Sequence, residues 1–289
     1  MRVHHWGLMI KRAGVEVMNA RTKNVSIAKE TLEIVRLGKY VAPSGKEVDI
    51  KAEVEFSKSL TAYWEPDSDI FSNRETIIQI FPTIEVTNET TAQAAARLLA
   101  AGIEKPVALN FASARNQGGG FLSGAVAQEE DLCRCSALYD CLKKKPLFYN
   151  KNILQDDTFY TDGIIYSPQV PFFRDQNLNF LEEPFKLSII SVPAPNVRAM
   201  EEVDGKKLAE VLNTRATKIL KVALLEGHKN LILGAWGCGA FGNDPGLVAE
   251  AFRNALLNVP AFERVTFAVY DTREPPVLYE TFKQIYNIV

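Results

Sequence analysis

Residues 106–142 constrain this chain more than any other stretch. An apolar run, Pro106-Val-Ala-Leu-Asn-Phe111, leads through Ala-Ser-Ala-Arg-Asn-Gln into Gly118-Gly119-Gly120, and a segment opening with Gln128-Glu129-Glu130 follows. The run has the length and composition of a buried strand. Three glycines leave a turn without side chains, so its backbone N–H groups can crowd against a polyanion such as a diphosphate. From Gln128 onward, apolar residues recur at Leu132, Cys135, Leu138, Tyr139 and Leu142. That spacing predicts an amphipathic helix over 128–142 with both glutamates in its first turn. A phosphate cradle tied to a carboxylate pair points to acid/base chemistry on a nucleotide or nucleotide sugar.

The surrounding pattern predicts an α/β chain. From about residue 76, strands are expected over 77–81, 84–86, 106–111, 163–167, 187–192, 230–235 and 264–270. Helices are expected over 90–101, 204–226, 245–257 and 277–286. Such alternation argues for a sandwich with helices on both sheet faces and ligands at the carboxyl ends of strands. Residues 1–75 read differently, with a helix over 21–40 ending at Gly38, a short strand over 54–56 and a turn-rich stretch over 63–72. They are expected to form an N-terminal accessory segment packing on a core of residues 76–289.

Composition narrows the function classes. The net charge is −2 and the pI about 6.0, so no bulk basic excess attracts nucleic acid, and no direct nucleic-acid binding is expected. A polyanionic substrate has to be held by local features. Four cysteines form no C-x-x-C pair, and the three histidines, His4, His5 and His228, are not spaced with them as in a metal site. No metal or cofactor is expected. The cysteines read as reduced thiols. No apolar run reaches membrane-span length, and the N-terminus lacks the order of a secretory signal. A cytoplasmic protein is expected.

A second glycine-rich loop, Gly234-Ala-Trp-Gly-Cys-Gly-Ala-Phe-Gly-Asn-Asp-Pro245, follows the strand at 230–235. It can form a nest of N–H donors, and Asp244 with Pro245 suits the cap and first turn of the next helix. Phe241 is placed as a platform for a ribose or base.

These two motifs resemble one family. Asn110-Phe-Ala-Ser-Ala-Arg-Asn-Gln-Gly-Gly-Gly120, followed after seven residues by Gln128-Glu129-Glu130, is similar to the signature of the poly(ADP-ribose) glycohydrolases, and Trp236-Gly-Cys-Gly-Ala-Phe-Gly242 is similar to their second substrate loop. The likeness is greatest to the compact microbial-type branch and covers about residue 76 to the end. It implies a macrodomain-like fold, a three-layer α/β/α sandwich around a mixed sheet. It also implies hydrolysis of ribose–ribose O-glycosidic bonds in poly(ADP-ribose), mainly from chain ends. By motif position, Glu130 is the acid/base and Glu129 holds hydroxyls of the scissile ribose. Gly118, Gly119 and Gly120 hold the diphosphate, with Asn110 and Gln128 beside them. Gly237, Cys238, Gly239, Ala240 and Phe241 close over the other side, and Val269 or Tyr270 stacks the adenine. ADP-ribose, its polymer and ADP-ribosylated proteins are the expected partners of a monomer.

The chemistry contains an opposition. A helix's first turn favours the anionic form of a glutamate. Burial, the neighbouring carboxylate and the substrate diphosphate act the other way, and are expected to prevail at Glu130 with substrate bound. Plainer readings accompany several residues. Trp236 stays open between core and ligand contact, and Asn110 between backbone cap and ligand. Cys238 is expected to be a small residue permitting close approach, not a nucleophile. Ser113 and Asn116 are expected to shape the loop, Asn196 to sit in an ordinary turn, His228 to end a helix, His4 and His5 to lie in a frayed terminus, and Lys143–Lys145 to be a solvated helix end. Two other functions stay open: a non-catalytic ADP-ribose reader, which the two glutamates argue against, and a hydrolase of single ADP-ribose groups.

Overall fold

The computed structural model describes all residues except 1–3, 69–79, 156 and 288–289, and describes 4–19 through their helical backbone alone. Its sheet follows from strict in–out alternation. Along the strand β5 (Pro106–Phe111), Val107 and Leu109 enter one apolar layer and Ala108 the other. Along β8 (Asn230–Leu233), Leu231 and Leu233 face the first layer and Ile232 the second. Strands buried on both faces need helices on both sides.

Seven strands form one mixed sheet in the order β3 (Ala62–Trp64), β6 (Ile164–Arg174), β7 (Phe180–Val192), β5, β8, β9 (Arg264–Ala268), β4 (Thr83–Thr87). The five from β7 to β4 run parallel, and β6 and β3 are antiparallel to their neighbours. The carboxyl ends of five strands therefore share one edge. A separate ribbon pairs β1 (Lys39–Val41) with β2 (Glu47–Asp49). One sheet face carries α7 (Gly205–Leu225), α8 (Pro245–Asn258) and α9 (Val277–Ile285). The other carries α2 (Lys51–Leu60), α3 (Thr91–Ala100), α4 (Gln128–Cys135), α5 (Leu138–Leu142) and α6 (Pro146–Leu154), with α1 (His4–Leu37) packed on α4. This is the expected three-layer α/β/α sandwich, macrodomain-like in arrangement.

Several local expectations are corrected. The stretch 54–56 belongs to helix α2, whose Val54 and Ser57 are buried at helical spacing. The turn-rich stretch from residue 63 begins instead in β3, which forms the sheet's edge against β6. The strand expected over 77–81 lies mostly outside the described residues; Ile80 makes a single bridge to Ala261. The helix read over 21–40 does end at Gly38 as expected: Leu37 is its last residue, and Gly38 at φ +72° donates to the Ile34 carbonyl at 2.7 Å. It starts at His4, where a frayed end was expected.

The single helix expected over 128–142 breaks at Ser136, which is extended and bridges Phe172. The Ser136 hydroxyl accepts from Leu138 N and donates to the Leu132 carbonyl, the competition with backbone bonding that makes serine a poor interior helix residue. Pro146 opens α6 at its first turn, where its missing N–H is harmless, rather than merely ending the preceding helix. Strands β6 and β7 run far beyond the expected 163–167 and 187–192, as a long hairpin.

Candidate active site

Helix α4 starts under the sheet edge, and its first turn carries Glu129 and Glu130, only 3% and 7% exposed. Gln128 fixes that start. Its side-chain oxygen accepts from Phe111 N at 2.8 Å, and its amide donates to the Leu109 carbonyl and to Thr91. Both amide protons are thus spent joining α4, β5 and α3, so Gln128 braces the site in this structure.

Glu129 is gripped from β5. Its carboxylate accepts from Ser113 N at 2.8 Å and from the Asn110 amide at 3.2 Å. Asn110 is fully buried and also donates to Ser191, so its amide nitrogen joins the carboxylate to β7. Burial pushes the Glu129 carboxyl up to about 8, the hydrogen bonds from Ser113 and Asn110 oppose this, and the neighbouring Glu130 adds to it. At Glu129, desolvation outweighs the helix start.

Glu130 is held by one oxygen. Its Oε1 accepts from Gly120 N at 2.7 Å. Its Oε2 is buried and has no hydrogen-bond partner among the described residues. The Oδ1 atoms of Asn110 and Asn196 are buried without a partner in the same way. Unpaired buried acceptors are rare and call for an explanation, such as a ligand or water.

The triple glycine is required first by these carboxylates. Gly118 and Gly119 have φ of +66° and +58°. A Cβ on Gly119 would lie 2.5 Å from Glu130 Oε1 and 3.0 Å from Glu129 Oε2, and one on Gly118 would lie 2.8 Å from the Tyr139 ring. Within the loop Gly119 N donates to Asn116 O and Gly120 N to Glu130. Two of the three N–H groups expected to meet the diphosphate are therefore engaged inside the protein. Ser113 Oγ accepts from the amides of Arg115 and Asn116, the loop-shaping role expected of it.

The second loop leaves β8 at the same edge. Gly237 (φ +75°) would place a Cβ 2.4 Å from Ala194, so the loop lies flat on the segment following β7. Asn243 ties the same two pieces, donating to Pro195 O and Gly237 O. Trp236 is core: it is buried, and its indole N–H donates to Val192 O at 2.9 Å. Gly239 faces open space. Burial pushes the Cys238 thiol up to about 12, which suits a close-packed small residue and not a nucleophile. Asp244 caps α8 through Leu247 N.

A residue no sequence signal marked joins the two loops. The Phe241 ring lies 6.2 Å from that of Tyr160, and the Arg115 guanidinium lies 5.9 Å from the same Tyr160 ring. Tyr160 sits between α6 and β6, in a stretch with no periodicity to flag it. Of the two residues considered for adenine stacking, Val269 is 1% exposed and Tyr270 59% exposed; only Tyr270 offers a face at the sheet edge. His228 is more than a helix end. Its ring is buried against the Tyr166 hydroxyl and the Lys105 carbonyl, away from the loops.

Comparison with known proteins agrees with this geometry. Residues 28–175 match the family model of the microbial-type PARG (poly(ADP-ribose) glycohydrolase) catalytic domain. The chain is 42% identical to the poly(ADP-ribose) glycohydrolase of Thermomonospora curvata, with a TM-score of 0.88 over 92% of this chain and 100% of that one. The same bacterial enzyme bound to the inhibitor ADP-HPD matches at 42% identity and TM-score 0.85, over 91% and 99%. The Deinococcus radiodurans glycohydrolase in complex with ADP-ribose matches at 39% identity and TM-score 0.76, over 83% and 98%. Among curated proteins none matches. The sandwich, the paired glutamates beneath a triple glycine and the second loop opposite them place the chain in the microbial-type poly(ADP-ribose) glycohydrolase family, hydrolases of a glycosidic bond.

Proposed function

We propose that the protein hydrolyses the ribose–ribose O-glycosidic bonds of poly(ADP-ribose), mainly from chain ends, and releases ADP-ribose. The carrying observation is Glu130: a buried carboxyl with one oxygen held by Gly120 N and the other without a protein partner. Bond cleavage leaves cationic character on the ribose carbon and negative charge on the departing oxygen. A proton delivered from the Glu130 carboxyl to that oxygen lowers the barrier; the resulting carboxylate then takes a proton from the water whose oxygen bonds to the ribose carbon, which restores the carboxyl. Such help is worth roughly 10²–10⁴-fold. Glu129, fixed by Ser113 and Asn110, is positioned for ribose hydroxyls. The diphosphate lies along Gly118–Gly120, the loop of Gly237, Cys238, Gly239, Ala240 and Phe241 closes the other side with Phe241 on ribose, and Tyr270 stacks the adenine.

ADP-ribosylated proteins are the bearers of the polymer in this reading, and residues 1–75 serve as an accessory segment to the catalytic core. The protein acts as a cytoplasmic monomer that binds no nucleic acid. The four free thiols support a reducing compartment, and no described helix is long and apolar enough to cross a membrane.

Incubation with defined polymer and chromatography of the earliest products tests the proposal. ADP-ribose accumulates first if the reading holds. Long free oligomers as first products contradict end-directed cleavage. Bound but uncleaved polymer indicates a reader, and release confined to mono-modified protein indicates the single-unit hydrolase.

A further inference from the structure

The Tyr160 ring stands between two side chains, with the Arg115 guanidinium 5.9 Å from its centroid and the Phe241 ring 6.2 Å away. We infer that Tyr160 is a positioning residue that sets the gap between the two substrate loops, carrying Arg115 on one side toward an anionic diphosphate and backing Phe241 on the other. The inference rests on the glycohydrolase reading above.

Its backbone supports a role beyond packing. Tyr160 is a bulky non-glycine residue at φ +61°, a strained conformation that persists only where the surroundings over-determine it. The surroundings do so. Arg215 of α7, 1% exposed, donates to the carbonyls of both Phe159 and Tyr160 and to the Pro193 carbonyl. Asp162 holds the Arg215 guanidinium at 2.8 Å, and Lys218 holds Asp162 at 2.9 Å. Thr161 N donates to Asn152, and Asn196 N donates to Thr158 O. The segment 158–162 is thereby locked to α6, to α7 and to the stretch after β7 on which the second loop lies. A glycine would satisfy this backbone without strain, yet a tyrosine occupies it with its ring placed between the loops.

The chemistry fits the gap. A guanidinium over a phenol face is attracted by the negative face of the ring. An aromatic pair at this separation and tilt adds directional packing behind Phe241. The ring thus presents a cation beside the glycine cradle and steadies a ribose platform opposite. Glu130 is held separately, through Gly120, so the ring governs binding more than the chemical step.

The test is steady-state kinetics on polymer with ADP-ribose titration, using Tyr160→Asn and Tyr160→Phe. Asparagine tolerates this backbone and removes the ring. Tyr160→Asn is expected to raise KM and the ADP-ribose Kd roughly tenfold, with kcat within about threefold of wild type, and Tyr160→Phe is expected to restore both. A ring that matters only to folding gives the opposite split, fewer active molecules with unchanged KM. Should Tyr160→Asn fold poorly, Tyr160→Leu, which keeps apolar volume, is measured in its place with the same expectation. Wild-type KM and Kd in the ring-less variant, or a loss in Tyr160→Phe as large as in Tyr160→Asn, overturns the inference. Failure of the wild-type protein to bind ADP-ribose overturns the glycohydrolase reading itself, a separate result.

Discussion

At the scale of single residues the site is governed by closeness. Gly119 lies so near both carboxylates that a methyl group there would stand 2.5 Å from Glu130 Oε1. Its φ of +58° adds a second penalty for any L side chain. Gly119→Ala therefore displaces the carboxyl proposed to do the chemistry. Displacement of a reacting group by about 1 Å costs on the order of 10²-fold, so kcat/KM for polymer is expected to fall by at least that much while the protein stays folded by circular dichroism. An alanine variant with wild-type turnover would show that the cradle does not fix Glu130. The glycine run and the glutamate pair were legible in the sequence because both carry strong residue-type constraints. Their mutual contact was not, since spacing along a chain does not reveal which oxygen faces which Cα. Gln128 shows the same limit: the motif marks it, but only the fold reveals that both amide protons are taken by Leu109 and Thr91.

At the scale of elements, legibility followed burial. Strand β5 was predicted to the residue because both its faces are apolar. Helices α3, α7 and α8 were found within a residue or two at each end, α8 aided by Asp244 as its cap; in the structure Thr90 and Asp204 cap the other two. The hairpin of β6 and β7 was underestimated for the converse reason. Its outer half includes exposed Glu182, Glu183 and Lys186, and Gln169 at φ +46° marks the shift in register after Ser167. Period-two alternation fails at such an irregularity. Helix α2 was misread because the three-residue window 54–56 cannot separate the two periods. Tyr160 was invisible at this scale, because its position depends on Arg215, distant in sequence and itself a charged residue that a pattern search leaves on the surface.

At the scale of the whole molecule, the buried Glu129 carboxyl ties stability to pH. Glu129 titrates from its ordinary 4.5 up to about 8 in the fold. A raised carboxyl binds its proton more tightly folded than unfolded, so its stabilising contribution is complete below about 4.5 and is lost as pH rises through about 8. Within that window the slope approaches about 1.4 kcal/mol per pH unit. Glu129→Gln removes the titration, so its stability relative to wild type is expected to rise between pH 5.5 and 8.5 in paired denaturant melts. Parallel curves across that range would mean that Glu129 is charged throughout.

The same architecture brings two loops from distant parts of the chain to one sheet edge over the carboxyls of Glu129 and Glu130, and the central claim is that Glu130 performs the chemistry there. Glu130→Gln keeps the shape and the Gly120 contact but has no proton to exchange. Measured side by side with wild type, polymer turnover by ADP-ribose release is expected to fall by roughly 10²–10⁴-fold, while calorimetry returns an ADP-ribose affinity within a few-fold of wild type. Turnover at the wild-type rate by the glutamine variant would contradict the account.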